Sequence, residues 1–168
     1  VLEIRAAKRR NGKARSAERL FFAALLCLNL LVTVAHAHDI PADITVQAFL
    51  KPEGQQLHFL VRVPLKAMRD IEFPKRGPGY LELDRADEFL RDAAVQWISN
   101  FTEIDENESP LPKPKIVEAR VSLESDKSFA SYDQAVAHVS GQRLPNNTDV
   151  YWDQAILDVL LDYPIQSE

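Results

Sequence analysis

Alternation of apolar and polar residues is the clearest pattern in the chain. In "DITVQAFLKPEGQQLHFLVRV" the apolar positions Ile44, Val46, Ala48 and Leu50 recur every second residue, as do Leu57, Phe59, Val61 and Val63. Period two over this length predicts a pair of half-buried strands. Between them lies "PEGQ", 52–55, where Pro52 sets φ and Gly54 allows positive φ. A four-residue turn there pairs Leu50 with Leu57, Ala48 with Phe59, Val46 with Val61 and Ile44 with Val63, so that all four pairs are apolar on one face. Alternation returns at Val117, Ala119, Val121 and Leu123, with Glu118, Arg120 and Ser122 on the opposite side. It returns again at Ala155, Leu157, Val159, Leu161 and Tyr163, opposite Asp158 and Asp162. Both stretches predict strands with one face toward a core and one toward water.

Helical periodicity appears twice. "DRADEFLRDAAVQWISNF" places Phe89, Leu90, Ala93, Ala94, Trp97 and Ile98 on one face, with Asp84 as the expected N-cap and Asp87 and Glu88 in the first turn. From Gln96 onward the pattern fits a strand equally well, which leaves a further strand near 97–104 open. "SYDQAVAHVSG" predicts a short helix, with Ser131 and Gln134 in capping-box spacing and Gly141 as its stop. "PKRGPGY" (74–80) and the acidic, proline-broken 105–115 read as loops. The expected architecture is mainly β within the α+β class, an antiparallel β-sandwich-like domain with one medium and one short helix. The sequence stops soon after Pro164, directly behind a strongly apolar strand, as expected of a domain truncated at its C-terminus.

The first 37 residues follow a different pattern. Leu20 to Val34 carries no charge, and seven Lys or Arg precede it against Glu3 and Glu18. A basic n-region (1–19), an apolar h-region (20–34) and the small-x-small exit Ala35-His36-Ala37 are the parts of a helical secretory signal peptide. The run is shorter than the roughly 20 residues of a membrane span. Cleavage is expected between Ala37 and His38, releasing 38–168 as one periplasmic β-rich domain; an uncleaved leader would instead anchor it to the membrane. Arg9-Arg10 lies too far from the apolar run for a twin-arginine signal, and Leu26 before Cys27 does not suit a lipoprotein.

Cleavage changes both charge and redox chemistry. Residues 1–37 hold seven basic and two acidic residues (net +5), which leaves 13 basic and 23 acidic residues (net −10) of the 20 and 25 in the chain. That acidity argues against nucleic acid and anionic lipid as partners. Cys27, the single cysteine, departs with the leader, so the domain has neither disulfide nor thiolate chemistry. A thiol-free exported domain fits a bacterial periplasm.

The candidate chemistry is sparse. Cleavage would make His38 the N-terminal residue, whose amine and imidazole chelate together; with His58 it would form a nitrogen site suited to copper or nickel. The hairpin register above sets His58 opposite Phe49 and several residues of strand away from His38, which works against the pair meeting. Asp39, Asp43 and the acidic loop residues Glu103, Asp105, Glu106 and Glu108 offer a calcium-site candidate, but their spacing lacks the loop glycine and an acidic, proline-flanked loop is ordinarily solvated surface. Asp158 and Asp162 lie about 13 Å apart along one strand, too far for a glycosidase pair. No G-x-S-x-G, phosphate loop or dinucleotide fingerprint occurs, and no enzyme is expected.

The stretch "AHAHDIPADITVQAFLKPEGQQLHFLVRVPLKAM", with "SLESDKSFASYDQAVAHVSGQRLP" and "WDQAILDVLLDYPI", resembles the extracytoplasmic N-terminal region of HupE/UreJ-like bacterial membrane proteins, the hydrogenase and urease accessory group. The resemblance spans most of 36–165 and rests on general pattern. It implies a non-enzymatic domain followed by membrane spans linked to nickel or related metal transport. The expected partner is that membrane region or another membrane protein. No metal-site residue transfers to a position in this sequence.

Overall fold

The computed structural model describes residues 44–166. Ala37, His38 and the leader lie outside them. A four-stranded antiparallel sheet, in the order β1-β2-β8-β7, organises the described residues. Its strands are β1 (Gln47–Glu53), β2 (Gln56–Pro64), β7 (Lys115–Leu123) and β8 (Ala155–Pro164). Two short ribbons join β3 (Lys75–Arg76) to β4 (Tyr80–Leu81) and β5 (Asp105–Glu106) to β6 (Ser109–Pro110). The helices are α1 (Asp87–Trp97) and α2 (Tyr132–Ser140), with 3₁₀ turns at Leu65–Ala67, Ser99–Phe101, Ser128–Ala130 and Trp152–Gln154. The mainly β, antiparallel reading therefore holds. The packing of two large sheets that a sandwich requires is not found among the described residues, where helices and loops cover the sheet. No helix among these residues is long and apolar enough to cross a membrane.

The first hairpin forms where expected but in another register. Glu53 pairs with Gln56 across a two-residue turn, so Leu50 meets Phe59, Ala48 meets Val61 and His58 meets Lys51, not Phe49. Gly54 stands first in that turn with φ 61°, the conformation that primed hairpin turns demand. Pro52 remains inside β1 because β1 is an edge strand, where a missing N–H leaves no ladder bond unmade. The shift is two residues, so each side chain keeps its expected face.

The core lies mainly on one face. Leu57, Val61 and Val63 of β2, Leu157, Val159, Leu161 and Tyr163 of β8, and Ala119 and Val121 of β7 meet Leu90, Ala93 and Ala94 of α1. The β1 row is not part of this core, and Val46 and Leu50 stay 54% and 53% exposed. A bulge between Ile116 and Glu118 makes Val117 the extra residue of β7. Ile116 and Ala119 thereby share the core side, while Val117, expected in the buried row, is exposed.

Smaller departures have local causes. α1 starts after Ala86, not at Asp84, because a turn closed by the Arg85 N–H to the Glu82 carbonyl occupies that stretch. The segment after Trp97 is a 3₁₀ turn, not a strand, and Trp97 is partly exposed. Both expected loops contain a short ladder, and in the β5–β6 turn Asn107 and Glu108 both adopt positive φ. α2 follows its signals, since the Ser131 hydroxyl accepts from the Gln134 N–H. At Gly141 an added Cβ would lie 2.8 Å from the Ala137 carbonyl oxygen, which restricts the position to glycine.

Tyr163 is 2% exposed and its hydroxyl reaches no partner, and burial pushes its pKa up. Tyr163→Phe should leave stability unchanged or raise it by up to about 1 kcal/mol in chemical denaturation, since an unmet buried hydroxyl is lost with its penalty. A loss of more than about 1 kcal/mol would show that the hydroxyl is bonded.

Candidate functional site

The second sheet face carries the chemistry. β2 and β8 are buried on both sides, and Leu60 and Leu160 pack there against Phe129, Ala135 and Val139. Polar residues share that face. Arg62 pairs across the ladder with Asp158, and Asp158 pairs with Arg120. All three are buried, as is Ser122. Asp158, Arg120 and Ser122, expected on a solvent face, are enclosed beneath α2 and the 128–130 turn. Arg62 joins them although the alternation gave no sign of it. The available signal was Leu60, Ile156 and Leu160, which make the even-numbered face of β2 and β8 apolar as well.

Arg62 and Asp158 form the centre. Arg62 Nε and Nη2 donate to the two Asp158 oxygens at 2.7 and 2.6 Å, a bidentate pair. Arg62 Nη1 donates to the Asp126 carbonyl and Nη2 to the Asp126 carboxylate, both at 2.9 Å. The guanidinium lies 4.2 Å over the Phe129 ring, which covers its face. Burial opposes the Arg62 charge, but its bonds to Asp158 and Asp126 outweigh that and hold its pKa up. Burial likewise pushes the Asp126 carboxyl up, yet the Ser128 hydroxyl and N–H and Arg62 bring it down to about 2.

Ser122, His138 and Asp126 have the residue types of a nucleophilic triad. Ser122 Oγ is 2.8 Å from His138 Nε2, and His138 Nδ1 is 3.6 Å from Asp126 Oδ2. The roles do not match the composition. The Ser122 hydroxyl donates its one proton to Asp158 Oδ2 at 2.5 Å, so it accepts from His138 and gives that ring nothing to abstract. Ser122 is also only 1% exposed. His138 is held from several sides, with Nε2 3.2 Å from Asp158 Oδ2 and its own carbonyl accepting from Arg120 Nη1.

His58, the expected metal ligand, lies farther along the same face. Its Nδ1 is 2.6 Å from Asp162 Oδ1 and its Nε2 is 3.6 Å from Glu53 Oε2. The carboxylates sit at opposite ring nitrogens, so one ion cannot touch both across the imidazole. Lys51 lies 4.5 Å above the Tyr132 ring, whose hydroxyl burial and Glu53 push up to about 12. No group of three or more His, Cys, Asp or Glu among the described residues is arranged for a metal ion. Ala37 and His38 lie outside the described residues, so the His38–His58 pair has no observed geometry. Asp158 and Asp162 face separate partners, Arg62 and His58, and form no carboxylate pair.

No family model matches the chain, and neither a curated protein nor a solved structure matches it.

The Asp126 carboxyl titrates lower in the folded protein than its ordinary value, so its stabilisation is complete above about pH 4 and is lost as pH falls through about 2. Asp126→Asn should therefore cost about 2 kcal/mol at pH 7, and much less at pH 2, in urea unfolding followed across pH. A penalty equal at both pH values would contradict the assignment.

Proposed function

We propose that 38–168 is an extracytoplasmic, non-enzymatic domain of a HupE/UreJ-like membrane protein. Its role is docking or assembly beside a membrane-spanning region outside this sequence, and metal transport, of nickel or a related ion, belongs to that region. The reading is supported by the leader-like 1–37, by the resemblance along 36–165, and by the acidic, thiol-free composition beyond residue 37. The observation that carries its non-enzymatic part is the closure of the one serine–histidine–aspartate arrangement described. Ser122 is buried with its proton committed to Asp158, so no substrate carbonyl reaches the oxygen and no base stands ready to activate it. The alternative of a periplasmic copper binder would depend on His38, because carboxylates already face both nitrogens of His58.

Expression of the whole chain in a Gram-negative host tests the export step. Mass spectrometry should find a periplasmic product that begins at His38, whereas a soluble cytosolic product retaining its leader would refute it. A fluorophosphonate probe tests the chemistry, and Ser122 should stay unlabelled. Stoichiometric labelling at Ser122 that disappears in His138→Ala would establish a hydrolase instead.

A further inference from the structure

Arg120 is 2% exposed, and only one of its terminal nitrogens is bonded. Nη1 donates to the carbonyls of His138, Val139 and Gly141 at the end of α2. Nε and Nη2 meet no acceptor. These two N–H groups form the parallel edge of the guanidinium, the edge that matches the two oxygens of a carboxylate. Arg62 shows the match within this protein, since it grips Asp158 by the same two atoms. Arg120 carries an identical fork without a carboxylate. A buried charge without a direct counter-ion is costly.

Arg120 also lines a cavity of about 180 Å³ between the start of α1 and the segment after α2. A water needs roughly 10–15 Å³ on this scale, so the space takes a small organic molecule. Leu83, Leu90 and Leu144 give it apolar walls. Arg143 lines it too, bonded at the rim to Asp87 and Glu118. Asp84 is the remaining carboxylate in the lining, and it is exposed at the rim, where water screens it. Burial depresses the Arg120 pKa, and the more distant charges of Glu118, Asp158 and Asp126, opposed by Arg143, do not restore it.

We propose that this cavity binds a small aliphatic carboxylate, whose oxygens take the Arg120 Nε–H and Nη2–H donors and whose tail lies against Leu83, Leu90 and Leu144. Both nitrogens are enclosed by protein, so engagement requires the guanidinium to shift toward the cavity. The Arg120 Nε–H resonance reports that shift directly. The size of the cavity favours a free acid of a few carbons over a peptide terminus, which would bring a chain with it.

The test is titration of sodium propionate into the ¹⁵N-labelled protein. The Arg120 Nε–H signal should move and saturate, while equal concentrations of propionamide or sodium chloride produce no saturable change. Leu144→Trp, which fills the cavity and leaves the guanidinium intact, should weaken propionate binding at least tenfold. Absence of a saturable shift, an equal response to propionamide or chloride, or undiminished binding in Leu144→Trp would each overturn the proposal and leave the fork to water.

Discussion

The second face of the sheet depends on the ion pair between Arg62 and Asp158. The pair joins the two central strands at directly opposed positions, and both residues are almost wholly shielded from water. Once Asp158 is enclosed, its oxygens need donors, and Arg62 and Ser122 supply them. Once Arg62 is enclosed, its remaining donors need acceptors, and the 126–128 turn supplies those. The turn is thereby drawn over the sheet, and Phe129 follows it down onto the guanidinium. The attraction that seats α2 comes from Leu60, Leu160, Phe129, Ala135 and Val139, each large buried apolar side chain contributing about 1.5–3 kcal/mol. The ion pair adds little net energy against an apolar replacement of the same shape, but it dictates where everything around it must stand.

The closure of this network bears on function. A serine, a histidine and an aspartate within reach of one another invite a catalytic reading. In this structure each of these groups is committed to holding the sheet, the turn and α2 together, which is what supports the non-enzymatic proposal. Hydrogen-bond accounting also separates Arg120 from its neighbours. Arg62 uses both edges of its guanidinium, whereas Arg120 uses one nitrogen to close the end of α2 and leaves the carboxylate-matching edge without an acceptor. Structural and ligand-binding arginines thus sit two strands apart on one face, on either side of Asp158.

Much of the fold was legible because period-two and period-3.6 patterns are direct consequences of backbone geometry. The first hairpin, β7, β8 and the capped α2 all lie where alternation and Ser131 place them. Three features escaped for physical reasons. The register of β1 against β2 depends on turn length, and "PEGQ" permits a four-residue turn as readily as the two-residue one centred on Gly54. The β7 bulge inserts Val117 without any glycine to mark it. Burial of the charged face was hidden because Arg62, Ser122 and Asp158 satisfy one another across strands far apart in the chain, and alternation shows only which residues of one strand share a side. Leu60 and Leu160 among them were the readable warning that this side is covered. The expected metal site depended on His38, outside the described residues, and on His58, whose neighbour Asp162 becomes apparent only when β2 is laid beside β8.

A double-mutant cycle on the central pair tests this account most directly. Equilibrium unfolding of Arg62→Met, Asp158→Leu and the double variant would be compared with the parent protein. The account predicts a loss of about 3–5 kcal/mol for each single change, because each strands a buried charge, and a far smaller loss when both are made together. Single losses under about 1 kcal/mol, or a double loss equal to the sum of the singles, would mean that the pair does not organise this face.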